Sequence, residues 1–145
     1  MPDFVENTTS EHAIQCGLVQ WWDMQAKAWG YHPRLLFAVP NGGMRSKVTA
    51  ALLQKEGVRA GVPDLILAIP NERKKCGALF IEMKTAKGKL SSEQIAMHML
   101  LKELGYKVVI ARSISEGMII IRNYLDKPIP DELARIARSN PALTW

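Results

Sequence analysis

The stretch from Gly57 to Lys84 reads GVRAGVPDLILAIPNERKKCGALFIEMK and contains two apolar segments with charged residues at their ends. The first segment follows Asp64, and the second ends in Glu82, Met83 and Lys84. Because side chains alternate along a strand, Glu82 and Lys84 share one face and Met83 lies on the other. If the strands pair as an antiparallel hairpin, Asp64 lies beside the end of the second strand. The stretch therefore predicts two carboxylates and an ammonium group at one end of a sheet, an arrangement suited to a divalent metal ion.

Composition indicates a single soluble globular domain. The chain has 145 residues, of which 48% are hydrophobic and 23% charged, so it can fill a core and does not resemble a disordered chain. The net charge of +5 suits a polyanionic partner, although many small proteins are mildly basic. Cys16 and Cys76 provide neither a disulfide framework nor a zinc site. Without a signal-peptide pattern or an apolar run of membrane-spanning length, we expect a cytoplasmic protein.

Periodicity predicts alternating helices and strands. We expect a first helix from Thr8 to about Trp29, begun by a capping box between Thr8 and Glu11. Its buried face is expected to contain Ile14, Leu18, Trp21 and Ala28. Strands are predicted over 35–39, 65–69, 78–84 and 107–111, and further helices over 46–56, 91–105, 113–124 and 131–138. The order αβαββαβα predicts an α/β domain in which helices flank a mixed central sheet, with the core over 8–125 and a C-terminal tail over 126–145.

The connections predict how these strands pair. A loop over 70–77 joins the second and third strands, which can therefore form an antiparallel hairpin. A helix separates the third strand from the fourth, and such a crossover implies parallel pairing with a right-handed connection.

Glu11 lies on or beside the apolar stripe of the first helix, where an acidic residue is unusual unless it caps, pairs or binds something.

The charged residues of these elements resemble the signature of a known nuclease family. Pro63 and Asp64, followed by Glu82-x-Lys84, match the PD-(D/E)xK nuclease superfamily. The match is extended by Glu11 with Gln15, the turn Asn41-Gly42-Gly43, the segment from Gly57 to Asp64, and Ser91 with Gln94. The whole set, in this order, is similar to the VRR-NUC (virus-type replication–repair nuclease) family in its compact stand-alone form from phages and bacteria, over residues 8 to 125.

This resemblance implies a restriction-endonuclease-like core and metal-dependent hydrolysis of phosphodiester bonds. Asp64, Glu82 and the backbone carbonyl of Met83 would hold Mg²⁺ or Mn²⁺, and Lys84 would orient or activate a water molecule or stabilise developing charge. Glu11 would hold a metal-bound water or help to bind a second ion, and Gln94 would act near Lys84. For Glu11 and Gln94 the alternative is a helix-capping role, and Gln15 is a weaker candidate for the site.

Further residues are candidates for contact with DNA phosphates. Such contacts position the nucleic acid without specifying its sequence. The candidates are Asn41, Gly43, Arg45, Lys47, Lys87 and Lys89. The simpler interpretation is that the first two are turn residues and the basic ones are solvated surface charges. The tryptophans of the first helix are expected in the core or at an interface rather than stacked on bases.

Together these features predict a metal-dependent, structure-selective DNA endonuclease. Stand-alone members of the family are similar to Holliday-junction resolvases, so the resemblance implies a homodimer that makes two symmetric incisions in a four-way junction. Two alternatives are open. One is a nuclease that acts on flaps, forks or restriction-type sites, and the other is a non-catalytic DNA-binding module, whose binding would fall steeply with salt.

Overall fold

Helices and strands alternate along the chain, as the sequence predicts. The computed structural model describes residues 10–40 and 46–145. The helices are α1 (Glu11–Ala28), α2 (Lys47–Lys55), α3 (Ser92–Glu103), α4 (Ile114–Tyr124) and α5 (Asp131–Ser139). The strands are β1 (Leu36–Ala38), β2 (Leu65–Leu67), β3 (Leu79–Met83) and β4 (Lys107–Ala111), and short 3₁₀ segments cover Pro33–Leu35 and Pro141–Leu143. The predicted mixed α/β class is confirmed, with α5 following the core order.

The four strands form one mixed sheet in the order β1-β2-β3-β4. β2 pairs antiparallel with both β1 and β3, and β3 pairs parallel with β4. These pairings confirm the predicted hairpin and the predicted crossover through α3. The sheet therefore brings the end of β3 beside the start of β2 on one side and the end of β4 on the other.

The start of α1 differs from the prediction. Ser10 is the N-cap residue, and its hydroxyl oxygen accepts a hydrogen bond from the backbone N–H of Ala13 at 3.1 Å. Glu11 is therefore the first helical residue rather than the third, so it cannot complete a capping box. Serine caps a helix as well as threonine does, and sequence spacing alone does not separate the two. Thr8 lies outside the described residues.

The buried face of α1 contains Ile14, Leu18, Trp22 and Ala26, at steps of four residues. The predicted members Trp21 and Ala28 are wrong, because Trp21 is half-buried and Ala28 is exposed. Burial of the Trp22 indole does not leave its N–H without a hydrogen bond, since Nε1 donates to the carbonyl oxygen of Pro33 at 2.8 Å.

Helix α4 covers the same side of the sheet as α1. Its residues Ile119, Ile120 and Ile121 are fully buried. A Cβ at Gly117 would meet the Leu18 side chain, so the absence of a side chain lets α4 approach α1 closely. The α1–α4 pair thus packs its buried residues together with those of the strands in one apolar core, and Glu11 lies at the start of α1.

Helices α2 and α3 bury far less. None of the α2 residues is buried, and in α3 the buried residue is His98. Apolar side chains of α3 instead face outward, among them Met99 at 57% and Leu104 at 75% exposure, together with Ile95 and Leu100. An amphipathic helix normally turns its apolar stripe to the core, so α3 is positioned by something other than apolar burial.

The segment before Asp64 is fitted tightly against the start of α3. Gly61 has φ +86°, and a Cβ at this position would collide with the backbone carbonyl oxygen of Glu93. Gly57 has φ +100° but has open space around it. Glycine at 61 is therefore required for two reasons, its backbone conformation and its close approach to α3.

We expect Gly61→Ala to lower the free energy of unfolding by about 2–5 kcal/mol, because it adds a collision with α3 to the strain of a positive φ. Gly57→Ala is the matched control, which introduces only the backbone strain and should cost about 1 kcal/mol. Urea denaturation followed by circular dichroism measures both values. Equal losses in the two variants would contradict the close packing of Gly61 on α3.

Candidate functional site

The β2–β3 hairpin brings Asp64 and Glu82 together. Leu65 pairs with Ile81, so Asp64 lies opposite Glu82 just before the start of β2. Oδ2 of Asp64 accepts a hydrogen bond from the backbone N–H of Met83 at 2.7 Å, and the neighbouring Glu82 carboxyl group contributes to raising the pKa of Asp64. The two acidic residues that were predicted to meet at this end of the sheet therefore do so.

Glu82 is deeply buried and has a partner on α3. Its exposure is 1%, and its Oε1 lies 3.0 Å from Nε2 of His98, which is itself 5% exposed. A buried carboxylate without a hydrogen-bond donor would be strongly destabilising, so this contact is a requirement of the buried position. Sequence reasoning missed His98. Its position one helical turn after Gln94, on the same face of α3, was the available signal.

Lys84 lies at the end of β3 with its ammonium group near Glu11. The residue is 8% exposed, and Nζ is 3.8 Å from Oε1 of Glu11. Its backbone N–H donates to the carbonyl oxygen of Ala111 at 3.0 Å, and Gly88 packs against the Lys84 stem. The ammonium position is thus defined by the sheet, by the following loop and by the start of α1.

The closeness of these acidic groups changes their protonation. Burial raises the pKa of Asp64 to about 7, reinforced by the hydrogen bond and the negative charge of Glu82, while the Met83 N–H and Lys84 oppose the shift. Burial, together with Glu11, also raises the pKa of Glu82. Burial and the nearby Lys102 and Lys84 charges lower the pKa of His98. Without a cation the two facing carboxylates therefore retain a proton at pH values where free carboxylates are ionised.

This donor set fits a hard divalent cation. Magnesium is commonly bound through one or two carboxylates, with water and substrate phosphate completing an octahedron. In residues 10–40 and 46–145, no three Asp, Glu, His or Cys side chains are arranged to hold a metal ion by themselves. Asp64 and Glu82 would therefore share an ion with oxygens that are not carboxylates, such as the Met83 carbonyl, water and phosphate.

Gln94 has a structural task. Ser91 and Gln94 form a capping box at the start of α3, in which Oε1 of Gln94 accepts the Ser91 N–H at 2.9 Å. Its predicted capping alternative is therefore confirmed, and its amide oxygen is occupied. Gln15 is half-buried on α1, one turn after Glu11.

The basic loop after β3 is held by Arg112, a residue that sequence reasoning also missed. The guanidinium Nη1 donates to the carbonyl oxygens of Thr85 and Gly88, at 2.9 and 2.7 Å. Lys87 and Lys89 are exposed on this loop, and Lys47 is exposed at the first residue of α2. The other predicted DNA contacts, Asn41, Gly43 and Arg45, lie outside the described residues.

A mixed α/β domain with an Asp…Glu-x-Lys cluster at the end of a β-hairpin is the architecture of the PD-(D/E)xK nuclease superfamily. Within that class the chain belongs to the VRR-NUC domain family, whose model matches residues 3–114. The resemblance found in the sequence is thus confirmed. The family implies a nuclease-type function in DNA processing, and its nucleases generally depend on a divalent metal.

A solved structure has a similar fold. A VRR_NUC domain protein is similar in fold, with a TM-score of 0.68 and 24% sequence identity over 81% of this chain and 89% of that one. No curated protein sequence matches the chain. None of the helices in the two described ranges is long and apolar enough to cross a membrane.

The raised pKa of Asp64 makes stability depend on pH when no metal is present. An acid that holds its proton more tightly in the folded state stabilises the protein below its unfolded pKa, near 3.8, and this stabilisation is lost as pH rises through about 7. With chelator present, we expect the free energy of unfolding of the wild type to fall between pH 4 and 7 relative to Asp64→Asn.

Urea denaturation at several pH values and constant ionic strength measures this difference. The asparagine keeps an oxygen for the Met83 N–H and cannot ionise, so titrating groups that do not interact with Asp64 cancel in the comparison. Parallel curves for the two proteins would contradict the raised pKa.

Proposed function

We propose that the protein is a Mg²⁺- or Mn²⁺-dependent endodeoxyribonuclease that hydrolyses phosphodiester bonds in branched DNA, in particular four-way junctions. The observation that carries this proposal is the convergence of Asp64, Glu82 and Lys84 at one end of the hairpin, with Glu11 beside them. A purely structural role does not account for a buried carboxyl group that faces a second, half-buried one.

Asp64, Glu82 and the Met83 carbonyl would hold the metal ion. When bound, such an ion polarises the scissile phosphate and lowers the pKa of a coordinated water. The N–H of Met83 fixes the Asp64 carboxylate, so that this ligand does not have to reorganise when an ion enters. The raised pKa of both acids indicates that a cation would replace a retained proton.

Lys84 would act on the phosphate or on the attacking water. Its stem is buried and its ammonium group is held by Glu11, so it presents a fixed positive charge where negative charge develops during hydrolysis. Glu11 would also orient a metal-bound water or help to hold a second ion. Gln94 would contribute near Lys84 only through the amide nitrogen, since its oxygen serves the cap.

The basic loop supports a role in binding the DNA backbone. Arg112, which follows β4, holds this loop through two of its carbonyl oxygens. Lys87 and Lys89 on the loop are exposed, and they follow Lys84 closely in the sequence. Contacts from these lysines and from Lys47 would position phosphates without reading bases. The same role is proposed for Asn41, Gly43 and Arg45.

The exposed side of α3 supports assembly as a homodimer. Ile95, Met99, Leu100 and Leu104 lie within three turns of one helix and are all exposed. An apolar surface of this kind suits a second protein copy rather than DNA, because phosphate binding requires cations. A two-fold dimer would supply the two sites that symmetric incision of a junction requires.

Cleavage assays test the active-site proposal. With Mn²⁺ we expect Asp64→Asn, Glu82→Gln and Lys84→Met each to reduce junction cleavage by at least about 100-fold, the typical effect of removing one group that stabilises charge in the transition state. Chelator should abolish cleavage. Lys27→Met, which removes an exposed lysine at the end of α1, is the matched control and should cut normally.

Substrate and binding measurements separate the alternatives. Four-way, flap and linear DNA of the same sequence are compared, and equal cleavage of all three would overturn the junction proposal. If the Asp64→Asn and Glu82→Gln variants cleave DNA at the wild-type rate, these residues do not form the active site. Salt-sensitive DNA binding without any cleavage would identify a non-catalytic module instead.

A charged substitution tests the dimer. Met99→Glu places a carboxylate in the middle of the exposed α3 surface, so we expect it to convert a wild-type dimer to a monomer in analytical ultracentrifugation. Val48→Glu, at an apolar residue of α2 that is even more exposed, should leave the mass unchanged. A wild-type protein that sediments as a monomer at micromolar concentration, or a Met99→Glu variant that stays dimeric, would contradict this interface.

A further inference from the structure

His98 is the buried partner of Glu82 but is not one of the signature residues of the nuclease superfamily. The two side chains come from α3 and β3 and meet at 3.0 Å with almost no exposure to solvent. His98 is the one α3 residue that is buried, while the apolar residues of this helix face outward. The contact is therefore the main side-chain link between the middle of α3 and the candidate active site.

We infer that His98 is a positioning residue, whose Nε2–H holds Oε1 of Glu82 so that the other carboxylate oxygen is directed to the metal and to Asp64. This inference rests on the proposed metal-binding role of Glu82. It assigns to His98 no contact with substrate and no proton transfer.

A neutral donor suits this task better than a charged one. Lysine or arginine at position 98 would neutralise Glu82 and compete with a cation for its charge. A neutral imidazole supplies one N–H and leaves the negative charge available. Ligating carboxylates are commonly held in this way by hydrogen bonds from residues that do not touch the metal, and loss of such a partner weakens metal binding.

Helix α3 makes two contacts near the acidic pair, one next to the segment that leads to Asp64 and one with Glu82. Its first turn is packed against Gly61, three residues before Asp64, and its middle contacts Glu82 through His98. The capping box between Ser91 and Gln94 stiffens the same first turn. Helix α3 thus positions both strands of the hairpin. The same two contacts hold the helix in place, although it buries little apolar surface.

The inference also fixes the tautomer of His98. A metal-bound carboxylate is only an acceptor, so the contact requires the proton on Nε2 and leaves Nδ1 unprotonated. Nitrogen-15 NMR distinguishes the two tautomers in the intact wild-type protein with saturating Mg²⁺, and the His98 signals are assigned by their absence from the His98→Gln spectrum. We expect the Nε2–H form, and the Nδ1–H form would overturn the inference.

Metal affinity provides the second test. Calorimetric titration with Mn²⁺ in the absence of DNA should show binding that is about 10–100-fold weaker in His98→Leu than in the wild type. His98→Gln keeps an N–H donor at a similar distance and should restore the affinity to within about 3-fold. Leu101→Ala, which loosens the packing of α3 without touching Glu82, should bind Mn²⁺ like the wild type.

The outcomes distinguish this inference from the proposed function. A wild type that binds no Mn²⁺ would overturn the metal site itself. A wild type that binds Mn²⁺, with unchanged affinity in a folded His98→Leu variant, would overturn only the role of His98. Equal weakening in His98→Leu, His98→Gln and Leu101→Ala would show that α3 packing, not the hydrogen bond, sets the affinity. If His98→Leu does not fold, the His98→Gln affinity and the wild-type tautomer decide the question.

Discussion

The opposition of Asp64 and Glu82 across the β2–β3 hairpin is the constraint on which the rest of the site depends. The antiparallel register forces the two carboxyl groups together, and burial then raises the pKa of each. Such an arrangement costs stability in the absence of a cation. It is maintained because the hairpin lies in the middle of the sheet, where β1 and β4 pair with its two outer edges.

The helices that contribute most to the apolar core are not the helix that contacts Glu82. Helices α1 and α4 bury isoleucines, leucines and Trp22 and so supply the apolar free energy that offsets the acidic cluster. Helix α3 supplies little of this free energy and instead supplies a polar contact to Glu82. If the exposed apolar residues of α3 faced the core instead, their burial would stabilise the protein. They would, however, take the position that His98 now occupies next to Glu82.

Most of the fold could be predicted because its signals are local. The hairpin, the crossover and the capping box at Ser91 follow from runs of residues that are close in the chain, and all three are present. The contacts made by His98 and Arg112 could not be predicted in this way. Whether these contacts form depends on how α3 and β4 are rotated against the end of β3, which a local sequence pattern does not determine.

The charges of the cluster explain why its hydrogen-bond partners are of different kinds. Asp64 is held by a backbone N–H, Glu82 by a neutral imidazole, and the ammonium group of Lys84 lies nearest to Glu11. When all are ionised, three carboxylates and one ammonium leave two negative charges in a protein whose net charge is +5. A divalent cation balances this local charge, whereas a second lysine in place of His98 would halve it. The identity of the partner at position 98 therefore determines how much negative charge the site keeps to attract a divalent metal ion.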